Sequence, residues 1–196
     1  MYNAANMTTP VLLIAFNRPE TTRAVFAKIR QARPPRLYLA SDGARQGRPG
    51  EAEIVAGLRE WLVDNVDWPC RVFTRFNGEN LGCGRGVASA VTWFFECEAE
   101  GIVLEDDCDP HPDFFAYCEA LLDRYREDLR VWHIAGFNPL TRLDVDDGYC
   151  FVSTMQCWGW ASWADRWRHF SLSVDDLTPE SLEAMFPTRI ERKFWG

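Results

Sequence analysis

The stretch Val11-Leu-Leu-Ile-Ala-Phe-Asn-Arg-Pro19 decides the fold, because it joins a buried strand to the start of a helix. Its first six residues form a continuous apolar run, which is typical of a strand covered on both faces. Pro19 and Glu20 suit the first turn of a helix. One face of that helix continues at Thr22, Val25, Phe26 and Ile29. The segment therefore predicts a strand that is followed at once by an amphipathic helix.

The same alternation recurs along the first two thirds of the chain. Further strands are predicted at residues 37–40, 71–74, 101–104 and 131–135, with helices between them. Strands that regularly alternate with helices predict an α/β fold, with a Rossmann-like, mostly parallel sheet flanked by helices. After Pro139 the pattern changes, and the sequence predicts a short strand over residues 149–154 and a helix from Pro179.

The size and charge of the chain narrow its class. With 196 residues and 47% hydrophobic residues, it has the length of one domain and can fill a core, which excludes global disorder. Its 21 basic and 29 acidic residues give a net charge of −8. Proteins that bind nucleic acid through the phosphate backbone show the opposite balance. We therefore expect no nucleic-acid partner.

The cysteines and histidines indicate neither a disulfide framework nor a structural zinc site. The seven Cys form no Cys-x-x-Cys pair, and the three His are isolated from one another. Reduced thiols in a cytosolic protein fit this pattern better. No signal-peptide pattern is present, and no apolar run reaches the ~20 residues that span a bilayer. We expect a cytoplasmic protein without a transmembrane segment, either free or peripheral at the inner face of the membrane.

The strongest chemical signal is Glu105-Asp106-Asp107, which follows the fourth predicted strand. Adjacent carboxylates repel one another unless a cation or hydrogen-bond donors compensate them. Oxygen ligands at the carboxyl end of a parallel strand suit Mg²⁺ or Mn²⁺, and such a cation stabilises a diphosphate leaving group. The alternative is a solvated acidic loop that caps the helix predicted from Pro112.

Other polar clusters follow the remaining strands, and each has a purely structural alternative. Gly82, Gly84 and Gly86, with Arg85, precede a predicted helix and suit an anion, or they form a flexible turn. Asp42 can accept hydrogen bonds from a base or ribose, or it can shape a turn. All of these clusters are expected at the same edge of the sheet, where ligands bind in such folds.

Four tryptophans in the segment from Cys157 to Trp167 form the other dense feature. If a helix starts at Trp160, then Trp160, Trp163 and Trp167 share one face, and such stripes usually pack in a core. Aromatic planes also stack on sugar rings. Trp158 and Trp160, on either side of Gly159, are the best candidates for that role.

In this order, these residues resemble a nucleotide-diphospho-sugar transferase of the glycosyltransferase-A fold. Residues 11–19 resemble the first strand and nucleotide loop of that fold, and Ser41-Asp42-Gly43 resembles the end of its second strand. Asn80-Leu-Gly82 is similar to its phosphate-side loop, and Glu105-Asp-Asp107 to its Asp-x-Asp-type metal motif. The resemblance covers nearly the whole chain.

A longer match within this resemblance is more particular. Residues 105–115, followed by Trp158-Gly-Trp160, are similar to N-acetylglucosaminyltransferase I-like enzymes and to bacterial haemolytic-protein-like glycosyltransferases. The residues that the resemblance places at the donor are Phe16, Asn17, Arg18, Asp42, Asn80, Gly82, Arg85, Glu105 and Asp106. Those that it places around the sugar and acceptor are Trp158, Gly159 and Trp160. Asp107 is implied as the catalytic metal ligand for Mn²⁺ or Mg²⁺.

The general base is where the sequence departs from the family. The family pattern has an Asp in a Trp/Asp-rich stretch after the tryptophan segment. Asp165 is the nearest candidate here, but it comes too early, and the chain ends at Phe194-Trp195-Gly196. The base is therefore either Asp165 or absent from this chain.

The expected protein is a single domain over residues 1–196. Residues 1–138 would bind the nucleotide sugar, and residues 139–196 would form an acceptor side that is cut short. The resemblance implies a metal-dependent, inverting glycosyltransferase that moves a sugar from a UDP-type donor to a saccharide hydroxyl. One alternative is a donor-binding fragment without turnover. Another is a sugar nucleotidyltransferase, although the loop Phe16-Asn-Arg-Pro19 lacks the glycines of that class.

Overall fold

The computed structural model describes residues 7–137 and 148–173, together with the single positions 175, 178 and 180. Its strands are β1 (Val11–Ala15), β2 (Arg36–Ser41), β3 (Arg71–Phe76), β4 (Glu100–Glu105), β5 (Ile134–Ala135) and β6 (Trp160–Trp163). Its helices are α1 (Pro19–Ala32), α2 (Glu51–Asp64), α3 (Gly82–Cys97), α4 (Asp113–Tyr125) and α5 (Ala164–Trp167).

The strands form one six-stranded sheet in the order β3-β2-β1-β4-β6-β5. The β3–β2, β2–β1 and β1–β4 pairs are parallel, whereas β6 is antiparallel to both β4 and β5. An α/β fold with a mostly parallel sheet flanked by helices is thereby confirmed, and the sheet is compatible with a Rossmann-like fold. The carboxyl ends of β1, β2, β3 and β4 lie at one edge, which we call the carboxyl edge.

The two faces of the sheet carry separate apolar layers, because successive side chains of a strand point to opposite faces. Leu13 of β1 belongs to the layer that packs under α1, α2 and α4. Leu12 belongs to the layer on the other side, with Phe94 of α3 and Trp160 of β6. Burial of apolar residues on both faces explains why the strands read as continuous apolar runs.

The second half differs from the sequence-based expectations. Trp160 does not start a helix: residues Trp160–Trp163 pair as a strand with β4, and α5 begins only at Ala164. No strand forms over residues 149–154, and the predicted strand at 131–135 shrinks to Ile134–Ala135. Apart from the single position 180, the helix predicted from Pro179 lies outside the described residues.

The glycine-rich segment is also placed differently. The helix expected after Gly86 begins at Gly82, so all three glycines lie in the first turns of α3 rather than in a loop before it. Within the described ranges, none of the helices is both long enough and apolar enough to cross a membrane.

Candidate functional site

A cavity of about 360 Å³ opens at the carboxyl edge, between the ends of the parallel strands and the first turns of α3. Its volume is within the range of pockets that hold small ligands. The donor-site residues predicted from sequence that line it are Phe16, Arg18, Asp42, Asn80, Gly82, Glu105 and Asp106. The parallel strand ends therefore bring together polar clusters that are far apart in sequence.

Small residues leave the space for this cavity. Ala40 of β2 lies at its floor, and Gly86 and Ala90 of α3 face it. A Cβ on Gly86 would lie 3.3 Å from a carboxylate oxygen of Asp42. A bulkier residue at position 86 would therefore press on the site rather than on the apolar core.

The acidic triplet is held by Arg18. Asp106 is buried and accepts a hydrogen bond from the Phe16 backbone N–H at 3.0 Å, and its second oxygen accepts one from Arg18. Another nitrogen of Arg18 donates to Asp107 Oδ2 at 2.7 Å. Burial raises the pKa of Asp106, although the Phe16 N–H and Arg18 act in the opposite direction. Arg18 thus already neutralises part of the triplet in the free protein.

Glu105 differs from its two neighbours, because no donor within the described part of the chain engages its carboxylate. Burial raises the pKa of Glu105, and the nearby charges of Asp107 and Asp106 raise it further. The side chain lines the cavity. It is therefore free to accept hydrogen bonds from hydroxyl groups of a ligand.

Asp42 closes the N-terminus of α3. Its carboxylate accepts hydrogen bonds from the backbone N–H groups of Leu81, at 2.9 Å, and of Gly82, at 3.0 Å. The Asn77 side chain donates to it at 3.1 Å. The helix N-terminus predicted to attract an anion from solution is thus already occupied by an anion of the protein itself.

A second buried carboxylate orders the rim of the cavity. Glu51 accepts hydrogen bonds from Asn17 Nδ2 at 2.8 Å and from the Arg45 backbone N–H at 2.7 Å, and it pairs with the Arg45 guanidinium. These hydrogen bonds, those of Arg45 above all, lower the pKa of Glu51 to about 2. Arg45 in turn lies over the Phe16 ring, with its guanidinium carbon 5.5 Å from the ring centroid. Asn17 thereby supports the rim without lining the cavity.

Several residues that line or support the cavity were missed by sequence reasoning. Arg45, Arg75 and Asn77 line the cavity. Arg59 of α2 donates to the carbonyl oxygens of Ser41, Asp42 and Asn77, and so joins the ends of β2 and β3. None of these residues belongs to a recognisable motif. For Arg75, the available signal was a charged residue directly after the predicted strand 71–74, which itself begins with a charged residue.

Five of the twelve donor-side predictions do not line the cavity: Asn17, Arg85, Trp158, Gly159 and Trp160. Trp158 is 55% exposed, whereas Trp160 is buried against Phe95 and Trp167. Gly159 has a φ of 74° and packs closely on Leu104, so the turn that presents Trp158 favours glycine. Trp158 stands two residues before Trp160, which pairs with Val103 near the carboxyl end of β4, so the turn that carries Trp158 is at the carboxyl edge.

Asp165 lies away from the cavity. In the antiparallel β4–β6 pair, Trp163 faces Glu100 at the start of β4, so Asp165 is near the opposite edge of the sheet. The length of β4, roughly 16 Å, separates that edge from Glu105. Both oxygens of Asp165 accept hydrogen bonds from Arg166, at 2.7 and 2.8 Å. The structure thus shows Asp165 as the partner of a buried arginine, and its role as general base stays a prediction.

The residues present fit a divalent cation only if a ligand supplies most of its coordination. Among the described residues, no group of three or more His, Cys, Asp or Glu side chains is arranged to hold a metal ion. Asp107 is partly exposed, and Arg18 engages only one of its oxygens in the hydrogen bonds described. Mg²⁺ is commonly held by one or two carboxylates together with substrate phosphates. Asp107 suits that arrangement.

No family model matches this chain, and no curated protein matches it either. The cavity and its residues therefore have to carry the functional proposal.

Proposed function

We propose that this chain is a metal-dependent glycosyltransferase of the glycosyltransferase-A type. It would move a sugar from a UDP-type donor to a saccharide hydroxyl, with inversion. The observation that carries this proposal is that one cavity at the carboxyl edge is lined by Phe16, Arg18, Asp42 and the Glu105–Asp106 pair. In open α/β sheets, nucleotides bind at the carboxyl ends of the strands.

The charge around the cavity supports a requirement for a cation. Three arginines line it, but Arg18 is paired with Asp106 and Asp107, and Arg45 is paired with Glu51. Only Arg75 among the three keeps an uncompensated charge within the described residues. A diphosphate would therefore meet too little positive charge from the protein alone. Mn²⁺ or Mg²⁺ on Asp107, when bound, would neutralise the leaving diphosphate.

The chain's own residues would divide the remaining tasks. Glu105, whose carboxylate is not engaged by a donor among the described residues, would orient ribose or sugar hydroxyls. Arg18 would fix Asp107 in place through their 2.7 Å hydrogen bond. The exposed ring of Trp158, 6.4 Å from that of Phe137, would offer an aromatic surface to the sugar or acceptor.

A second candidate is a unit that binds the donor without turning it over. The placement of Asp165 at the opposite edge favours this alternative, because it leaves the sequence-based candidate base out of reach of the cavity. The two candidates predict the same nucleotide binding and differ only in chemistry. Incubation with nucleotide sugars, with and without saccharide acceptors, separates them, since released UDP reports turnover.

The binding claim common to both candidates is tested by Asp107→Ala. This variant should abolish the Mn²⁺-dependent part of UDP binding in calorimetry, because the cation loses its main protein ligand. Asp109→Ala is the matched control: Asp109 is in the same loop, its side chain is 63% exposed, and its contact is with Lys28 at 3.8 Å. Equal UDP–Mn²⁺ affinity in Asp107→Ala and the wild type would refute the assignment.

A further inference from the structure

We propose that Arg75 and Asn77 read the nucleobase of the bound donor and select a base with a keto–imide edge, which is uracil or guanine. This inference rests on the proposed function, because it assumes that the cavity holds a nucleoside diphosphate. It concerns two residues that no motif of the sequence singled out.

The sheet register places Arg75 at one end of the cavity floor. Glu105, Ile14, Ala40 and Arg75 are successive register partners across β4, β1, β2 and β3, and all four line the cavity. In-register neighbours of a parallel sheet point to the same face. The row thus runs from an acidic end to a basic end over roughly 14 Å, the width of three strand spacings. Its middle is apolar.

This polarity sets the direction of the ligand. In the proposed function the diphosphate lies at the acidic end, where Asp107 and a cation would hold it. The nucleoside then extends along the floor towards β3. Ile14 and Ala40 below, and Val87 and Ala90 of α3 alongside, offer apolar surface to a flat ring. Arg75 is therefore at the position of the base rather than of the phosphates.

Arg75 and Asn77 together present a donor and an acceptor. Arginine has only donors, and Arg75 has no ion pair or hydrogen bond within the described part of the chain. The side-chain amide nitrogen of Asn77 donates to Asp42 at 3.1 Å. The side-chain oxygen, Oδ1, therefore points away from Asp42 and can act as an acceptor. A donor beside an acceptor matches C=O beside N–H, as in uracil and guanine. Cytosine and adenine present the reverse order, an amino group beside a bare ring nitrogen, and are excluded when Arg75 faces the position of the C=O and Asn77 Oδ1 that of the N–H, as we propose.

The test compares nucleoside diphosphates by calorimetry in the presence of Mn²⁺. Wild-type protein should bind UDP or GDP more tightly than CDP and ADP. Arg75→Met should weaken the preferred nucleotide roughly 10- to 100-fold, the usual value of a bidentate contact to a base edge. The affinity of the Arg75→Met protein for CDP, ADP and inorganic pyrophosphate should stay unchanged. Arg75→Lys keeps a donor and should retain part of the preference for UDP or GDP.

Arg71→Met is the matched control, because it removes the same charge from the other end of β3. Arg71 is exposed and stacks on Phe73, outside the cavity lining. The Arg71→Met variant should bind UDP, GDP, CDP and ADP as the wild type does. Unfolding temperatures of the variants check that each one is folded.

Any of four results would overturn the inference. Equal weakening of pyrophosphate and of every nucleotide in Arg75→Met would make Arg75 a phosphate ligand. Wild-type preference for CDP or ADP, or an unchanged preference in Arg75→Met, would also refute base reading while leaving the proposed function intact. If the wild type binds no nucleoside diphosphate at all with Mn²⁺, both the inference and the proposed function fail.

Discussion

Glu105 shows how a carboxylate at a cavity can cost the protein stability. Its carboxylate is partly buried at the cavity and is not engaged by a donor within the described residues. Burial, together with Asp107 and Asp106, raises the pKa of Glu105 above its usual range. The folded protein therefore holds this proton up to a higher pH than the unfolded chain does. Stability that is present in acid is lost as the pH rises through the folded-state pKa.

Glu105→Gln is accordingly expected to stabilise the protein at pH 7. The amide does not ionise, so the cost of a buried, crowded charge disappears. Each kcal/mol gained should raise the unfolding temperature by about 2–4 °C in a chain of this size. The advantage should shrink as the pH falls towards about 4.3, where an ordinary glutamate becomes protonated. Thermal unfolding at a series of pH values measures both effects.

The control for this prediction is Glu96→Gln, which makes the same substitution on the exposed side of α3. It should leave the unfolding temperature nearly unchanged. A stabilisation of Glu105→Gln that does not depend on pH would contradict the account. The Glu105→Gln protein should also bind the donor more weakly than the wild type. Groups that destabilise a fold at a functional site are commonly ones that its activity requires.

For single residues, the sequence predicts a place at the cavity for those that belong to motifs and misses those that stand alone. Glu105, Asp106 and Arg18 could be found because runs of charge interrupt apolar segments at strand ends. Arg75 could not, because its importance comes from its register with Ala40 on the neighbouring strand. Arg59 likewise acts through three carbonyl oxygens of two different strand ends. Pairing between distant segments creates both roles, and no local pattern encodes it.

Among the elements, α3 links the fold to the site most directly. Its N-terminus is capped by Asp42 from the end of β2, which explains why the helix begins at Gly82. The glycines read locally as a flexible turn, because glycine disfavours helix interiors. The missing information was the capping carboxylate, which comes from a residue forty positions earlier in the chain.

Two of these glycines make a matched pair for a test. A Cβ on Gly86 would meet the Asp42 carboxylate at 3.3 Å, and three donors hold that carboxylate in place. A Cβ on Gly84 would meet nothing within 4 Å. Gly86→Ala should therefore have an unfolding free energy about 1 kcal/mol or more below that of Gly84→Ala, and it should weaken nucleotide binding. Gly84→Ala should gain up to about 1 kcal/mol in helix propensity and leave binding intact.

Chemical denaturation and UDP–Mn²⁺ calorimetry on both variants check this pair. If Gly86→Ala proves as stable as Gly84→Ala and binds UDP equally well, the contact between α3 and Asp42 does not shape the cavity. The comparison is internal, because both substitutions lie in the same helix and add the same methyl group.

The β6 strand shows why the tryptophan segment was misread. Trp160, Trp163 and Trp167 have helical spacing, yet Trp160–Trp163 forms a strand. All four residues of β6 are buried, so it lacks the alternation that marks a half-exposed strand. A short apolar run of this kind does not distinguish a buried strand from a helix. Pairing with β4 decides the outcome, as tertiary context commonly does.

For the whole molecule, the direction of β6 determines which residues share an edge. Because β6 is antiparallel to β4, the residues before it return to the carboxyl edge, and those after it leave at the opposite one. Trp158 therefore belongs to the carboxyl edge, where β4 ends at Glu105, and Asp165 belongs to the opposite edge. An all-parallel sheet would have reversed these positions. The antiparallel pair thus brings an aromatic side chain to the cavity side and leaves Asp165 among structural contacts.

Asp165→Asn tests this division between edges. Arg166 is buried, lies over the Trp163 ring at 4.4 Å, and donates to the Arg126 carbonyl at the end of α4. Loss of the Asp165 carboxylate would leave the positive charge of Arg166 less well compensated, at a cost of about 1–3 kcal/mol in unfolding free energy. UDP–Mn²⁺ affinity and any turnover should stay at the wild-type level, because the cavity lies at the other edge.

A folded Asp165→Asn protein that binds the donor normally but has lost turnover would restore Asp165 as the general base. Chemical denaturation and UDP-release assays on the same preparation decide between a structural and a catalytic carboxylate.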